Sequence, residues 1–366
     1  MQYKLPLDML YHWEASTPDK VYLRQPIDDL WHTWTWKQTG EEVRKMAAAL
    51  KAMQLPDSSK IALVSKNCAH WIICDLAIMM SGHISVPLYP NLSAQTMNQT
   101  LAHSEAKILF VGKLDDWTSM KPGVPEGVKC ISFPFTDHVG YERWEEIVER
   151  HEPLQENIAR SPEETCTIIY TSGTTGMPKG VMHSFKSFAL VAYNSIPYLG
   201  FRMEDRFFSY LPLSHVAERV LVETISLYVG GEVSFAESLQ KFAKNVAEAK
   251  PTVFLGVHRI WSKFQQGILA KMPQKKLDAL LKIPIVSGLV KRNIRKGLGL
   301  AEATNILTGA APTPPALIKW FEGIGIKIQE AYAMTENCCY SHVSVNNNIR
   351  LSYVGQPLPN CSVRLG

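Results

Sequence analysis

The chain reads as an α/β protein in which helices cover a largely parallel sheet. Three observations predict this. Helical and strand signatures alternate from residue 41 onward, a glycine- and hydroxyl-rich loop follows an apolar β-run at residues 165–170, and 46% apolar composition over 366 residues is ample for a developed core.

The alternation opens with a helix on which Val43, Met46, Ala47, Leu50 and Met53 recur at three- and four-residue steps. Residues 61–64 then read as a strand, 70–80 as a helix and 84–88 as a strand. Ser93 is placed to cap the next helix, and residues 107–111 complete a second β-α-β unit before a Gly/Pro-bearing connection at 122–127. Past the loop, the pattern resumes with a strand at 207–211, a long apolar helix at 215–228 and a strand at 232–235. An amphipathic helix marked by Leu239, Phe242, Ala243, Val246 and Ala247 leads to a strand at 252–255. Residues 272–299 are the least patterned stretch, rich in lysine and glycine, and read as a mobile loop or insertion.

Charge and cysteine content exclude several classes. The 38 basic and 34 acidic residues leave a net +4, too small and dispersed for nucleic acid as main partner. Lys291, Arg292, Arg295 and Lys296 form the nearest thing to a basic patch, read first as a solvated helix face, with an anionic lipid surface or coenzyme A phosphates as alternatives. Seven cysteines without CxxC pairs, two of them the adjacent Cys338 and Cys339, suit reduced thiols in a cytoplasmic compartment. The N-terminus lacks a continuous apolar run, and residues 71–80 are short and carry Asp75, so neither a signal peptide nor a membrane span is expected.

Residues 170–181, YTSGTTGMPKGV, carry the strongest chemical signal. Gly173 and Gly176 can bring backbone N–H groups against phosphate oxygens, Thr171, Ser172, Thr174 and Thr175 add hydroxyls, and Lys179 adds a mobile positive charge. The spacing is not that of a Walker loop, since Pro178 precedes the lysine and Gly180 follows it.

This stretch resembles the phosphate loop of the adenylate-forming (AMP-binding) superfamily, which includes acyl-CoA synthetases, luciferases and peptide-synthetase adenylation domains. Two further segments are similar to that superfamily. ILTGAAP at 306–312 resembles its adenine-binding segment, with Gly309, Ala310 and Ala311 against the base; Ala310 stands where many members have glycine, so its backbone is expected to be one alanine accepts. QEAYAMTEN at 329–337 resembles the Tyr-Gly-x-Thr-Glu element, with Ala333 in place of the inner glycine. The resemblance implies that Glu330, Ala331 and Tyr332 meet the adenine, Thr335 donates to the α-phosphate, and Glu336, with Thr171, holds magnesium. It also places His215 beside the acyl carboxylate. Lys179, His215, Thr335 and Glu336 are thus the expected catalytic residues, with ATP, Mg2+ and coenzyme A as cofactor and co-substrates.

The segments PLSHVAERV, SKNCAHWIICDLAIMMSGHISVPLYPNLSAQT and PTVFLGVHRIWSKFQ look most like long-chain fatty acyl-CoA synthetases. The resemblance implies a fatty-acid tunnel walled by residues 216–228 with Phe254 and Trp261 nearby, although His258 replaces a usual proline. Glu218 and Arg219 are expected to pair with neighbours that orient this helix. It further implies the superfamily's large N-terminal domain over residues 1–366, with subdomains near 1–190 and 191–366, helix-covered sheets and a terminal β-rich subdomain around 353–365. The small C-terminal domain is expected to lie beyond this chain, leaving the fragment inactive alone. Aryl-CoA ligase, acyl-AMP ligase and non-catalytic nucleotide-binding regulator remain alternatives, and peripheral membrane contact and oligomerisation stay open.

Overall fold

A computed structural model describes residues 3–136, 138, 140–171, 177–345 and 348–364. Two sheets organise them. The first runs, edge to edge, through Glu142–Arg143, Lys129–Ser132, Ile108–Val111, Lys60–Val64, Ile84–Leu88, Thr165–Thr171 and Lys179–Ser184. All neighbours are parallel except the last pair, which is an antiparallel hairpin. The alternating pattern does not predict this hairpin, which places Thr165–Thr171 beside Lys179–Ser184 at the sheet edge.

Helices fill the layers as the periodicity predicts. Trp36–Ala52 begins in a capping box: the Thr35 hydroxyl accepts from Gln38 N at 3.2 Å while Thr35 N donates to the Gln38 carbonyl oxygen at 2.9 Å. Ser93 caps Ala94–Ser104 by accepting from Thr96 N at 3.1 Å. Ala69–Met80 is buried on every side, which is why its sequence is apolar all round and why its one acid, Asp75, needs a partner.

The second sheet has nine strands, and its parallel centre consists of Gln329–Tyr332, Asn305–Thr308, Val253–Leu255, Arg206–Ser209 and Glu232–Phe235. The N-terminal hairpin Val21–Ile27 and Leu30–Thr35 crosses over to join it, Val21–Ile27 lying parallel to Glu232–Phe235. Its two-residue turn, Asp28 and Asp29 at φ 50° and 65°, fits the primed geometry without the glycine that would have announced it. At the other edge, His342–Val343 and Gln356–Pro357 add short antiparallel strands.

Two sequence expectations change. Residues 272–299 are not a loop but the helices Gln274–Leu281 and Pro284–Gly297, whose Leu277, Leu281, Val290 and Ile294 pack on the core of the second sheet. Lysine is a good helix former, so the lysine-rich composition hid a regular apolar spacing. The expected helix at 215–228 is three pieces: Val216–Glu218, a π-helical Arg219–Thr224, and Ile225–Val229. Thr224 donates its hydroxyl back to the Arg219 carbonyl at 3.0 Å, five residues earlier, matching the wider turn.

Candidate functional site

A cavity of about 520 Å³ lies where the two sheets present their strand ends. Its polar end is lined by Thr171, His215, Gly309, Ala310, Thr335 and Glu336, and its apolar wall by Leu199, Phe201, Val216, Val220, Leu221 and Ile225. Residues separated by more than 160 positions in sequence therefore meet around one space.

Each polar segment leaves the carboxyl end of a strand. Thr171 closes Thr165–Thr171 and pairs across the hairpin with Lys179, which opens Lys179–Ser184 and is exposed. Ser172, Gly173, Thr174, Thr175 and Gly176 lie outside the described residues. Gly309 to Ala311 follow Asn305–Thr308, and their neighbour strand Gln329–Tyr332 runs parallel with Thr308 opposite Glu330. A Cβ on Gly309 would come within 3.1 Å of the Ala331 carbonyl, a tight contact that the close approach of the two segments creates. Ala310 adopts φ 63°, a left-handed conformation that alanine takes up only with some strain. The turn keeps its glycine-like left-handed geometry although the side chain has changed.

Thr335–Asn337 forms one 3-10 turn after the strand, and Asn337 Oδ1 accepts from Met334 N at 3.1 Å. Cys338 and Cys339, at φ 53° and 55°, reverse the chain immediately afterwards, with Cys338 N donating to Thr335 O at 3.0 Å. Among the described residues no side-chain hydrogen bond or ion pair engages the Thr335 hydroxyl or the Glu336 carboxylate, so both are available to a ligand. His183 lies on the strand of Lys179, and burial holds its imidazole below the usual value.

His215 caps Val216–Glu218, its Nδ1 accepting from Ala217 N at 3.1 Å. Neutral His215 therefore carries its proton on Nε2. Burial lowers its pKa, which favours that neutral donor form.

The segment leading to His215 is held by Asn67, which no local pattern had marked. Its Nδ2 donates to Ser209 Oγ at 2.7 Å and to Leu211 O at 2.5 Å, while its Oδ1 accepts from Leu213 N at 3.1 Å. These bonds end the strand at Ser209 rather than at the expected residue 211. Glu218, fully buried, accepts from Tyr210 N at 2.9 Å, and desolvation pushes its carboxyl up to about 8. Glu218 and Arg219 thus pair as expected. Arg219 contacts Asp75, donates to Thr167 Oγ1 at 3.1 Å and lies 3.2 Å from Glu223. Two buried carboxylates face one guanidinium, so burial and then Asp75 drive the Glu223 carboxyl well above its normal range.

Six residues expected at the site do not line the cavity: Lys179, Phe254, Trp261, Ala311, Glu330 and Tyr332. Phe254 and Trp261 pack edge to face in the core of the second sheet instead, and Leu255 and Val257 line the cavity. For Phe254 and Leu255 the strand alternation explains this, since neighbouring strand residues face opposite ways. Glu330 is buried and burial raises its pKa, while Tyr332 is half-exposed with its ring 6.2 Å from that of His342. The lining also includes residues that sequence reasoning did not mark, notably Ser195, Leu199, Phe201, Cys339 and His342. All seven cysteines are free, and burial pushes the Cys339 thiol up to about 12.

No helix among the described residues is long and apolar enough to cross a membrane, and no group of three or more His, Cys, Asp or Glu among them could hold a metal by itself. Comparison with known proteins agrees on the family. The pattern described as AMP-binding enzyme matches residues 10–366. The chain is 26% identical to the long-chain-fatty-acid–CoA ligase ACSBG2 of Xenopus laevis, over 95% of this chain and 53% of that protein. It shares its fold with the anthranilate CoA ligase AuaEII solved with anthranoyl-AMP, at TM-score 0.78, 22% identity, and coverage of 98% of this chain and 65% of that one. It does so too with the o-succinylbenzoate CoA synthetase MenE of Bacillus subtilis solved with ATP and magnesium, at TM-score 0.75, 22% identity, and coverage of 100% and 67%. The chain spans about half the length of the curated relatives it matches.

Proposed function

The chain belongs to the AMP-binding enzyme family, matched over residues 10–366, and from that premise we propose that it provides the ATP and acyl sites of a ligase activating long-chain fatty acids. The observation that carries this reading is one cavity lined both by polar, ligand-facing side chains and by a mostly aliphatic wall. In the first half-reaction an acyl carboxylate oxygen attacks the α-phosphorus of ATP; the bond to the bridging oxygen breaks and pyrophosphate leaves. In the second, the coenzyme A thiol attacks the acyl carbon and AMP leaves.

The residues divide this work. Lys179 and Thr171, adjacent on the hairpin, supply charge and a hydroxyl to the phosphates, and the Thr335 hydroxyl reaches the α-phosphate. His215 Nε2 donates to the carboxylate or to the developing charge beside it. Gly309, Ala310, Ala311, Glu330, Ala331 and Tyr332 frame the adenine, with the exposed ring of Tyr332 as stacking face. Glu336 suits magnesium because that ion is usually held by one or two carboxylates together with substrate phosphates rather than by an all-protein cage. Bound there, the ion would neutralise phosphate charge.

The aliphatic wall favours a methylene chain, each buried CH2 contributing ~0.8 kcal/mol, and the relatives named for long-chain acids agree. Solved neighbours are named for aryl acids, so chain class is the point to test. ATP–pyrophosphate exchange by the whole protein with acetate, benzoate, decanoate and palmitate tests it. Exchange should be greatest with the long acids. A benzoate optimum would assign an aryl ligase, and no exchange with any acid would leave a nucleotide-binding regulator.

A further inference from the structure

The helix Pro284–Gly297 is 14 residues long and buries none of them, although its sequence includes Ile285, Val286, Leu289, Val290 and Ile294. Val290 and Ile294 rest against the core of the second sheet. Ile285 and Leu289 do not: they are 83% and 57% exposed, and Ile283 just before the helix is 50% exposed. Ile285, Leu289, Arg292 and Lys296 follow at spacings of four, three and four residues, which puts them along one helix face.

Charge is concentrated in the same place. Residues 271–297 carry eight lysines and arginines against the single acid Asp278, a net +7, whereas the whole chain nets +4; the rest of the molecule is therefore net −3. Elsewhere Lys241 and Lys244 are held by Asp29, and Lys186 by Glu163. Among the described residues none of the eight cations in this segment takes part in an ion pair. A solvated helix face accounts for unpaired lysines but not for two isoleucines and a leucine presented beside them.

We propose that the helical hairpin Gln274–Leu281 and Pro284–Gly297 is a peripheral docking surface for a bilayer containing anionic lipid. Ile283, Ile285 and Leu289 enter the region between headgroups and acyl chains while Arg292, Lys296 and their neighbours meet the headgroup charge. The pairing of exposed aliphatic side chains with excess positive charge selects this occupant over a nucleic acid, which would use the charge and leave the isoleucines in water. The inference is independent of the acyl class assigned above.

Sedimentation of the chain with vesicles tests it, comparing phosphatidylcholine alone with phosphatidylcholine mixed with phosphatidylglycerol. Binding should appear on the mixed vesicles, weaken with salt, and drop about tenfold or more in both Ile285→Glu/Leu289→Glu and Arg292→Glu/Lys296→Glu. These side chains are exposed, so thermal melts should match the parent and show that loss of binding is not loss of fold. Equal binding to both vesicle types, no binding to either, or unchanged binding by the two variants would overturn the proposal. Retention on heparin without vesicle binding would overturn it equally, by showing a polyanion site.

Discussion

Arg219 donates to the Thr167 hydroxyl at 3.1 Å, and this bond ties the helix that walls the cavity to the strand Thr165–Thr171. The same guanidinium contacts Asp75 and lies over Trp71, 5.2 Å from the ring centroid. One fully buried cation thus joins this helix to the strand Thr165–Thr171 and to the helix Ala69–Met80.

Removing it should be costly. Arg219→Met leaves Asp75 buried without a counter-charge, a change worth about 3–5 kcal/mol by comparison with broken buried pairs. Chemical denaturation would read the loss. Replacing all three groups with apolar residues should recover much of it, and a single mutant within about 1 kcal/mol of the parent would show that the cluster is not a charge network.

Glu218 gives stability a pH dependence of definite sign. Its carboxyl is raised from 4.5 to about 8 by burial, so between those values the folded chain keeps a proton that the unfolded chain releases. The stability it contributes is present at low pH and is lost as pH climbs toward 8. Glu218→Gln should therefore flatten the decline by about 1 kcal/mol per pH unit across that window. Parallel stability curves for parent and mutant would contradict the assignment.

The left-handed Ala310 offers a third test. Relief of about 1–2 kcal/mol of steric strain in Ala310→Gly outweighs the extra chain entropy of glycine, roughly 0.5–1 kcal/mol, so the variant should be as stable as the parent or slightly more so. Ala310→Val should be clearly worse. Thermal melts decide it, and a glycine variant destabilised by more than about 1 kcal/mol would refute the strain.

Much of this was legible in the sequence because strand-ends and turns have local signatures. Residues 84–88 form a strand with those bounds, and Ser93 caps its helix, since period and capping chemistry are written in a few adjacent residues. Asn67, Phe201 and His342 were not legible, because their roles arise from contacts with segments far away in sequence. The Asp28-Asp29 turn and the lysine-rich helices failed for another reason: each uses residues whose usual reading points elsewhere.

Lys179→Ala in the whole protein should lower the pyrophosphate-exchange rate by roughly tenfold to a thousandfold, as one charge contact to the transferring phosphates is lost. The side chain is exposed, so folding should be unchanged. An unchanged rate at saturating ATP and acid would remove the hairpin from the mechanism.

Under the proposed function, one cavity must hold a phosphate-linked polar head and a long acyl chain together. Calorimetric titration of the chain with non-hydrolysable acyl-sulfamoyl adenosines tests this most directly, using palmitoyl, decanoyl and benzoyl forms on the parent and on Leu221→Trp, which fills the apolar wall. The parent should bind the palmitoyl form most tightly, with affinity rising from decanoyl to palmitoyl, and Leu221→Trp should weaken palmitoyl binding at least about tenfold while leaving benzoyl binding nearly unchanged. Equal affinity for all three forms, or tightest binding of the benzoyl form with Leu221→Trp without effect, would contradict it.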